Sequence, residues 1–584
     1  MAQQIPTMQN SFFSGISDDP RAISQSGFAI CKHFDVFTSP SKLTPYRSFE
    51  ADHATAVSAT DLKQYVVKDF LYASASSKLY GLGKVVATGF TKILQKAVAE
   101  SGLWTTPASS EGNGAVKNGT LLEYKDYLWG FQGTTQVWKW GLLSGTPSIT
   151  NSAGTVGTVY NTITAISVVA GGTLYNVNDI LYIEGGTGGT AIVTTVSAGG
   201  VVTAAVIVEP GYNYSTGTKN TGTSSSTGTG ATIGVTTVAN TSATILSNAQ
   251  GLIAKDDNGY IFYNNIVVRI YPSGTVQDQA LKLPTNLKIT SACNFGNYMA
   301  IGCSPINIYN GVSKVFLWNL YSPDVQEVID WGEGELRVLE SVEGMLVGIT
   351  DRYLNNASGA GRGSMIIQGY SGGSPQVLKE VFTQKLNGIG IPISKAVKNN
   401  RLFFVCKIFT NEAGTEYNEG IWSFGRKNAN YPYALSLDYI DENVTAGIQT
   451  FGSAGNFFFI AYNTDGSVDK TNDAAIYAFT SIFETQIYNF GNINNDKRLD
   501  SVKVSFRELK INESIVVKYK VDGDLTWTTI GNFSTTGGVS HTFLREETNN
   551  KSFTSGREFL FRVESTGGAE ITELVALATL LNNP

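Results

Sequence analysis

The sequence predicts an all-β protein of several units, and its composition, its strand patterning and its internal repeats are the observations that predict it. The chain has 584 residues, with 30 Phe, 27 Tyr and 62 Gly, while charged residues make up only 15%. Aromatic and β-branched residues fit a pleated, half-buried surface. Runs rich in Ala, Leu, Glu and Lys, which favour helices, are missing. A chain of this length divides into about three or four units.

A paired-strand phrase recurs along the chain and predicts a β-propeller of about seven blades. The instances are KLYGLGK, YLWGFQG with QVWKWG, GYIFYNNIVVRIYPSG, NYMAIGC with KVFLWN, GMLVGITD with SMIIQGY, RLFFVCKIF with GIWSFGR, and NFFFIAYN with AIYAF. The later phrases start near residues 298, 345, 402 and 457, where we place the first strand of each unit. This spacing is typical of propellers, whose blades cover one another. A chain of unrelated β-sandwiches is the alternative. We assign the propeller to 54–148 and 242–482.

An inserted Gly/Thr-rich double-repeat β module is predicted over residues 149–241. Ile163–Tyr175 matches Val202–Tyr214, and Gly185–Val196 matches Thr227–Val238. Alternating Val, Ala, Ile and Thr predict strands, and the Gly clusters predict turns with positive φ. The module contains only four charged residues: Asp179, Glu184, Glu209 and Lys219. We expect it to be a contact module that exposes Tyr175, Tyr182, Tyr212 and Tyr214, because Tyr offers a large rigid surface with one polar tip.

Two further units flank the propeller. Residues 1–53 lack regular patterning, contain several prolines and predict a docking strap. We expect its apolar anchors to lie on the edge of its own ring or on a neighbouring subunit; these are Phe12, Phe13, Phe34 and Phe37. Residues 483–584 contain short strands separated by polar turns, which predicts a C-terminal β-sandwich. Within it, Val521–Asp524 predicts a tight hairpin turn.

Charge and cysteine usage exclude several classes of function. The net charge of −6 comes without a basic stripe, which argues against a nucleic-acid partner. Four dispersed cysteines and three histidines argue against a zinc site and a disulfide framework. The start of the chain shows no secretory signal, and no run of about 18 apolar residues predicts a membrane span. We therefore expect assembly in a cytoplasm, with no cofactor and no metal.

Several short patterns could carry chemistry, and each has a simpler explanation. The segment IDWGEGELRVLE places Asp330, Glu333 and Glu335 beside Trp331 and Arg337. Glycosidases use two carboxylates about 5 to 9.5 Å apart, but clustered charges more often mark a solvated turn. Ser371 lies at the centre of GYSGG, yet the GGSP that follows breaks the helix that a nucleophile elbow requires.

Two other segments are weaker candidates. VDGDLTWTTIG is faintly similar to the Asp-box of sialidases, but it occurs once and lacks the preceding Ser, so a hairpin with a buried Trp527 is the favoured interpretation. Asp465, Asp469 and Asp473 offer oxygen ligands that suit Ca²⁺, although their spacing departs from that of an EF-hand. A plain polar loop is favoured there, and the question of bound Ca²⁺ stays open. We predict no enzyme activity.

Three parts of the chain together resemble virion proteins of tailed bacteriophages. Gly15–Arg21 and Lys32–Phe37, followed by prolines at 40 and 45, are similar to the start of propeller-bearing phage tail proteins. The Gly-Tyr and Gly-Gly-x-Gly repeats of the module are similar to Gly-rich modules of phage baseplate and fibre proteins. Val517–Gly531 looks like the module that closes such chains. The resemblance is one of pattern, and it brings no catalytic residues with it.

The resemblance implies a structural protein of the virion tail, at the tip, the nozzle or the hub, that assembles in the host cytoplasm. Its expected partners are other tail proteins, further copies of itself in a ring or another symmetric assembly, and a glycan or protein of the host envelope. The alternative is a surface or secreted β-propeller that binds or cleaves carbohydrate. The absence of an export signal weighs against that alternative.

Overall fold

A computed structural model describes the following parts of the chain: 4–9, 11–12, 15–16, 27–39, 41–46, 49–52, 65–74, 76–85, 90–96, 104–106, 111–115, 120–131, 136–155, 160–212, 214–223, 228–240, 250–253, 256–306, 311–353, 363–383, 395–409, 417–440, 448–462, 468–471, 480–491, 494–544 and 554–581. Every regular element in them is a β-strand, which confirms the all-β prediction. These residues also contain no helix long and apolar enough to cross a membrane.

The strands fall into four groups along the chain. The N-terminal strands are β1 (Gln4–Gln9), β2 (Gly15–Ile16), β3 (Gly27–Phe28), β4 (Ile30–Lys32), β5 (Phe34–Asp35), β6 (Thr44–Pro45) and β7 (Phe49–Ala51). Next come β8 (Tyr65–Ala73), β9 (Lys78–Val85), β10 (Phe90–Lys96), β11 (Trp104–Thr105), β12 (Glu111–Ala115), β13 (Leu122–Tyr124), β14 (Tyr127–Phe131), β15 (Gln136–Gly141) and β16 (Ser148–Thr155). The inserted module contains β17 (Tyr160–Thr173), β18 (Ile180–Ile183), β19 (Thr187–Ser197), β20 (Val201–Tyr212), β21 (Gly217–Thr223) and β22 (Thr229–Asn240).

The third and fourth groups follow the module. The third group is β23 (Gln250–Ile253), β24 (Gly259–Tyr263), β25 (Ile266–Ile270), β26 (Val276–Lys282), β27 (Leu287–Phe295), β28 (Tyr298–Pro305), β29 (Val312–Trp318), β30 (Glu327–Glu333), β31 (Glu335–Val342), β32 (Met345–Tyr353), β33 (Gly363–Tyr370), β34 (Gln376–Thr383), β35 (Lys395–Lys398), β36 (Arg401–Phe409), β37 (Tyr417–Gly425), β38 (Ala434–Ile440), β39 (Ile448–Ala454), β40 (Phe457–Tyr462) and β41 (Val468–Thr471). The fourth is β42 (Ser481–Glu484), β43 (Lys497–Phe506), β44 (Ser514–Val521), β45 (Thr528–Phe533), β46 (Ser540–Leu544), β47 (Ser555–Gly556), β48 (Phe559–Thr566) and β49 (Ile571–Leu580).

Apart from the N-terminal pairs β2–β3 and β5–β6, the module and the C-terminal strands, seven antiparallel sheets of four or five strands follow one another along the described chain. We number them in chain order. The first contains β8–β12, the second β13–β16, the third β23–β26, the fourth β27–β30, the fifth β31–β34, the sixth β35–β38, and the seventh β39–β41 with β7. The aromatic phrases of the sequence are the middle strands of these sheets, so Tyr298 starts a second strand and not a first. The phrase AIYAF lies outside the described residues.

Hydrophobic clusters join each of the seven sheets to the next. The residues of one cluster come from the first and second sheets, those of another from the second and third, and so on along the chain. A further cluster joins the seventh sheet to the first, where the rings of Phe70 and Phe459 lie 6.4 Å apart. Each sheet is therefore covered on both faces, which a single four-stranded sheet cannot achieve alone.

The N-terminal strands are built into the rest of the fold. β7 pairs with β41 and supplies the fourth strand of the seventh sheet. β4 lies between β38 and β42 and so joins the sixth sheet to the C-terminal strands. β1 pairs with β49 over six residues. The predicted strap boundary at residue 53 therefore needs correction, because it separates β7 from the sheet that it completes.

The C-terminal strands form two groups that share one hydrophobic cluster. β43, β46, β47 and β49 belong to one sheet, and β42, β44, β45 and β48 to the other. The hairpin turn at Val521–Asp524 is confirmed: Asp522 and Gly523 both have positive φ, and the Asp524 amide donates to the Val521 carbonyl at 2.9 Å. Trp527 is half-buried and not buried as predicted; the charged ends of Lys520 and Arg562 lie over its ring.

Candidate functional site

The inserted module is a six-stranded sheet whose order reproduces the sequence duplication. The order is β17-β22-β21-β18-β19-β20. The repeats make β17 equivalent to β20, β22 to β19 and β21 to β18. If the two repeats are exchanged, the sheet has the same strand order read from its other end. The cluster at its centre contains only residues of the module. The predicted start at residue 149 is too early, because Ser148–Thr155 pairs with β15 as the fourth strand of the second sheet.

Tyr175 and Tyr214 are buried at equivalent positions, which corrects the expectation that they are exposed contact residues. Their side chains are 2% and 1% exposed. The Tyr214 hydroxyl donates to the Ile183 carbonyl at 2.6 Å and accepts from the Gly189 amide at 3.0 Å. The Tyr175 hydroxyl accepts from the Ala231 amide at 3.3 Å. Each ring thus crosses from its own repeat to the loop of the other.

Glycine is required where each of these rings passes. A Cβ atom on Gly228 would lie 2.5 Å from the Tyr175 ring, and one on Gly186 would lie 2.5 Å from the Tyr214 ring. Real Cβ atoms essentially never come that close to another atom. The Gly-rich loops therefore form the surfaces against which the two tyrosine rings pack. The sequence signal for this was present, because the Gly-Gly-x-Gly and Gly-Tyr motifs repeat together. These motifs mark internal packing and not the exposed contact that the sequence predicts.

Of the other two tyrosine contact candidates in the module, the structure describes the side chain of Tyr182 but not that of Tyr212. Tyr182, on β18, is 50% exposed and remains a contact candidate. Tyr212 ends β20, and its side chain lies outside the described residues. Sequence reasoning missed a set of exposed apolar side chains on the same module. These are Val169, Leu174, Val177, Val206 and Val208, each between 48% and 59% exposed.

The aromatic anchors of the N-terminal region lie inside their own chain. Phe12 and Phe34 are fully buried, and Phe37 is 5% exposed. The ring of Phe12 meets that of Phe483 edge-on at 5.3 Å. These three residues pack in the cluster shared by the fifth sheet, the sixth sheet and the C-terminal strands, so they are not available to a neighbouring subunit. Phe13 lies outside the described residues.

Asp52 is a buried carboxylate at the junction of the first and seventh sheets. It directly follows β7 and is 2% exposed. It forms an ion pair with Lys96 of the first sheet and accepts from the Trp104 indole at 2.6 Å. Lys470 of the seventh sheet lies 3.7 Å from it. The burial of Lys96 lowers the pKa of its amine, which the contact with Asp52 opposes.

A second buried group holds the strap against the sixth sheet. The Tyr46 hydroxyl donates to Asp438 at 3.0 Å, and the Arg401 guanidinium donates to the Tyr46 oxygen at 3.1 Å. Arg401 also lies 3.8 Å from Asp35 and 3.7 Å from Asp438. Burial raises the pKa of the Asp438 carboxyl to about 7, and the nearby Arg401 opposes the shift. No sequence pattern indicated either group, because each brings together residues from separate parts of the chain.

The buried acids of the segment near Trp331 are held in ion pairs. Glu335 lies 2.7 Å from Lys288 and 2.8 Å from Arg337, whose Nε donates to Asp351 at 2.9 Å. Burial raises the pKa of Asp351 to about 6, against the effect of Arg337. Trp331 is 1% exposed and so cannot stack on a sugar.

Of the remaining candidates, the exposed acids are ion-paired and Ser371 lies in a bend. Asp330 and Glu333 form exposed ion pairs with Lys314 and Arg352, as expected for a solvated edge. Ser371 lies in a bend that leads to β34, and no helix follows it. Asp465 and Asp473 lie outside the described residues, while Asp469 accepts from the Tyr462 hydroxyl at 2.9 Å.

The described residues line grooves that are open to solvent. One, of about 800 Å³, lies among the C-terminal strands and is lined by Asp496, Asp522, Asp524, Glu558, Lys520 and Arg557, among others. The other, of about 480 Å³, lies between β30 and the turn that precedes β34. In the part of the chain that the structure describes, no group of three or more His, Cys, Asp or Glu residues could hold a metal ion. Cys31, Cys293 and Cys303 are buried thiols whose pKa values burial raises.

Comparison with solved structures finds β-propellers. A catalytically inactive virginiamycin B lyase from Staphylococcus aureus is 10% identical, with a TM-score of 0.36, and the match covers 73% of this chain and 100% of that one. The Dos1 propeller is 9% identical, with a TM-score of 0.37, covering 73% and 94%. The Pan2 WD40 domain of Neurospora crassa is 7% identical, with a TM-score of 0.32, covering 74% and 96%. No family model and no curated protein matches the chain.

Proposed function

We propose that this chain is a structural component of a tailed-phage virion, in the tail, and that it works by contact with neighbouring subunits. The observation that carries the proposal is the self-contained module. Its cluster includes no residue from elsewhere, and it exposes several apolar side chains while carrying four charges. Contiguous exposed apolar groups mark interaction surfaces, and the sequence resemblance supplies the class of particle.

The proposal includes a finer architecture: a closed seven-bladed propeller followed by a β-sandwich. Seven inter-sheet clusters, one of which joins the seventh sheet to the first, support the closed ring. The shared cluster of the two C-terminal sheets supports the sandwich. β7 would then close the ring by completing its last blade with an N-terminal strand. Ring closure removes long free edges, and a rigid ring is a suitable base for a contact module.

The expected partners are other tail proteins and further copies of this chain. A glycan or protein of the host envelope is a further expected contact. The exposed Tyr182 and the neighbouring apolar side chains of the module are suited to such contacts. Assembly in the host cytoplasm agrees with the buried, reduced cysteines. A carbohydrate-cleaving propeller is less well supported, because the acids near Trp331 are ion-paired and Trp331 is buried.

Reconstitution tests the proposal directly. Particles assembled without this protein are mixed with the full chain or with a chain that lacks residues 157–241, and binding is measured by co-sedimentation. We expect the full chain to bind and the deleted chain to bind at least tenfold more weakly. The control is a full chain carrying Val377→Asp and Val539→Asp, two valines that are 58% exposed outside the module. Failure of the full chain to bind any particle contradicts the proposal, and binding to host envelopes alone would make the module receptor-facing.

A further inference from the structure

The lysine and the aspartate that meet between the first and seventh sheets are both withdrawn from water. The side chains of Lys96 and Asp52 are 1% and 2% exposed and are in direct contact. They lie beside the hydrophobic cluster that joins the two sheets, with the Lys96 amine 5.3 Å from the centre of the Phe459 ring. Taking two charges out of water is costly, and their attraction offsets only part of that cost. A reaction that converts both charges into one neutral group removes it.

The surroundings of the pair favour an uncharged and nucleophilic amine. Burial lowers the pKa of the Lys96 amine; Asp52 opposes this shift, and the positive charge of Lys470 adds to it. Lys470 lies 3.7 Å from Asp52. A lysine becomes a nucleophile when it is desolvated or lies next to another cation. Direct contact with Asp52 lets one proton pass from the Lys96 nitrogen to the carboxylate, which leaves a neutral amine against a neutral acid.

The Asp52 carboxyl is held from both sides. Lys96 Nζ contacts Oδ1, while the Trp104 indole N–H donates to Oδ2 at 2.6 Å. A fixed donor at a carboxyl oxygen stabilises the negative charge that develops there when an amine attacks the carbon. Two groups that are held in contact also react as if at very high concentration. The contacts therefore present an amine, an acid and an oxyanion donor together.

We propose that Lys96 and Asp52 form an isopeptide bond after the chain has folded. The bond between Lys96 Nζ and Asp52 Cγ forms, and the bond between Cγ and Oδ1 breaks. Oδ1 leaves as water with two of the three ammonium protons, and the third stays on the amide nitrogen. The two charges cancel, so the step needs no oxidant and no co-reactant. The ion pair is the state before the bond forms, and the buried surroundings limit the access of water that reverses the step.

The bond fastens the two sheets at which the series begins and ends. Asp52 directly follows β7, which completes the seventh sheet, and Lys96 is the last residue of β10 in the first sheet. The covalent loop from 52 to 96 restricts the unfolded chain as a disulfide does. This inference goes beyond the proposed function and does not depend on it, because it concerns the chain alone.

Intact mass spectrometry of the purified full chain tests the bond without any variant. The folded chain should be lighter than its sequence by one water. Digestion with trypsin should give a branched peptide that joins residues 48–63 to residues 93–117, because trypsin does not cut after a lysine whose amine is blocked. A folded chain with its full sequence mass, or a branch at another lysine, would overturn the proposal.

Matched variants assign the water loss to this pair. Lys96→Arg keeps a cation beside Asp52 but has no lysine amine, so it should have its full sequence mass. Lys42→Arg changes a partly exposed lysine that pairs with Glu570 at 2.8 Å, and it should lose one water as the unchanged chain does. A water loss that persists in Lys96→Arg would show that another group, such as a cyclised aspartate, had lost it, and would overturn the proposal.

The rate of bond formation tests the role of Trp104. Trp104→Phe keeps an aromatic ring in the cluster but removes the donor to Asp52. After cell-free synthesis of the full chain, this variant should lose its water at least tenfold more slowly than the unchanged chain. Equal rates would overturn the role of the indole. These measurements use no particles, so a missing bond with intact particle binding would overturn this inference alone, and the reverse result would overturn only the proposed function.

Discussion

At the scale of single residues, a few buried polar side chains join parts of the chain that are far apart in sequence. Asp52 contacts the first and seventh sheets at once, and Arg401 and Asp438 hold the strap to the sixth sheet. Aromatic phrases and Gly motifs are local and could be recognised in the sequence. Which carboxylate meets which amine depends on how the sheets are arranged, and no local pattern carries that information.

Replacing Asp52 should weaken the fold far more than replacing an exposed partner. In Asp52→Asn, the buried Lys96 amine, 1% exposed, loses its counter-charge. Removing one partner of a buried ion pair costs about 3–5 kcal/mol. Asp330→Asn removes a carboxylate that is 70% exposed and paired with Lys314, and such surface pairs are worth about 1 kcal/mol or less. Urea unfolding of both variants measures the difference, and equal losses would show that Asp52 does not hold the junction.

The raised pKa of Asp438 predicts a pH dependence with a definite sign. Its carboxyl titrates near 4 when unfolded and at about 7 when folded, so the folded state binds more protons between these values. Its contribution to stability is therefore lost as pH rises from about 4 through about 7. Asp438→Asn resembles the protonated form and should gain stability relative to the unchanged chain between pH 5 and pH 8. Unfolding curves at both pH values measure this.

The neighbouring His33 also titrates, but it does not alter the predicted stability difference between the unchanged chain and Asp438→Asn. Burial lowers its pKa to about 4, so its contribution to stability rises with pH between about 4 and 6.5, in the opposite direction. Because His33 is present in both proteins, its effect largely cancels in their difference. If the unchanged chain instead gained stability relative to Asp438→Asn as pH rose, the folded carboxyl would be ionised and stabilised by Arg401, and the predicted direction would be wrong.

At the scale of elements, the packing of Tyr175 and Tyr214 on the Gly-rich loops shows which features of the module could be predicted from the sequence and which could not. The duplicated strands and Gly-rich loops were predictable, because both follow from local patterns. The burial of Tyr175 and Tyr214 was not, because an isolated Gly-Tyr motif suits an exposed turn as well as an internal one. The choice between them depends on the other repeat, whose loop receives each ring.

Removing the two hydroxyls should have unequal effects. Tyr214→Phe loses a hydrogen bond donated to Ile183 and leaves the Gly189 amide without its acceptor. Tyr175→Phe loses one longer hydrogen bond, from Ala231. Each variant leaves one buried amide donor unsatisfied, which costs about 1–3 kcal/mol. Tyr214→Phe should destabilise the module more, because it also removes the hydrogen bond to the Ile183 carbonyl. Hydrogen exchange of the β19 and β22 amides would measure the two losses, and a larger loss in Tyr175→Phe would contradict the assignment.

The strap should behave as part of the core and not as a detachable docking segment. Removing the first forty residues takes away β1, β4 and the buried Phe12, Phe28, Phe34 and Phe37. Burying each such ring is worth about 1.5–3 kcal/mol, and four of them approach the stability of a whole domain. We therefore expect an insoluble or unfolded product, and a milder loss when residues 1–9 alone are removed. A cooperative unfolding transition in the longer truncation would show that the strap is dispensable for folding.

At the scale of the whole molecule, the module and the sheets that carry it should be separable if the cut respects β16. The module's cluster is complete in itself, so removing the module exposes no core of the remaining sheets. A deletion of 157–241 keeps Ser148–Thr155 paired with β15, whereas a deletion of 149–241 removes most of that strand and opens the edge of the second sheet. Domains inserted between paired elements tolerate removal when the flanking backbone hydrogen bonds are kept.

We expect the shorter deletion to unfold cooperatively with a thermal midpoint near that of the unchanged chain, and the longer deletion to have a clearly lower midpoint. Both are measured by thermal denaturation. Loss of folding in the shorter deletion would mean that the module stabilises the ring. The module would then have a structural role in addition to the proposed contact role.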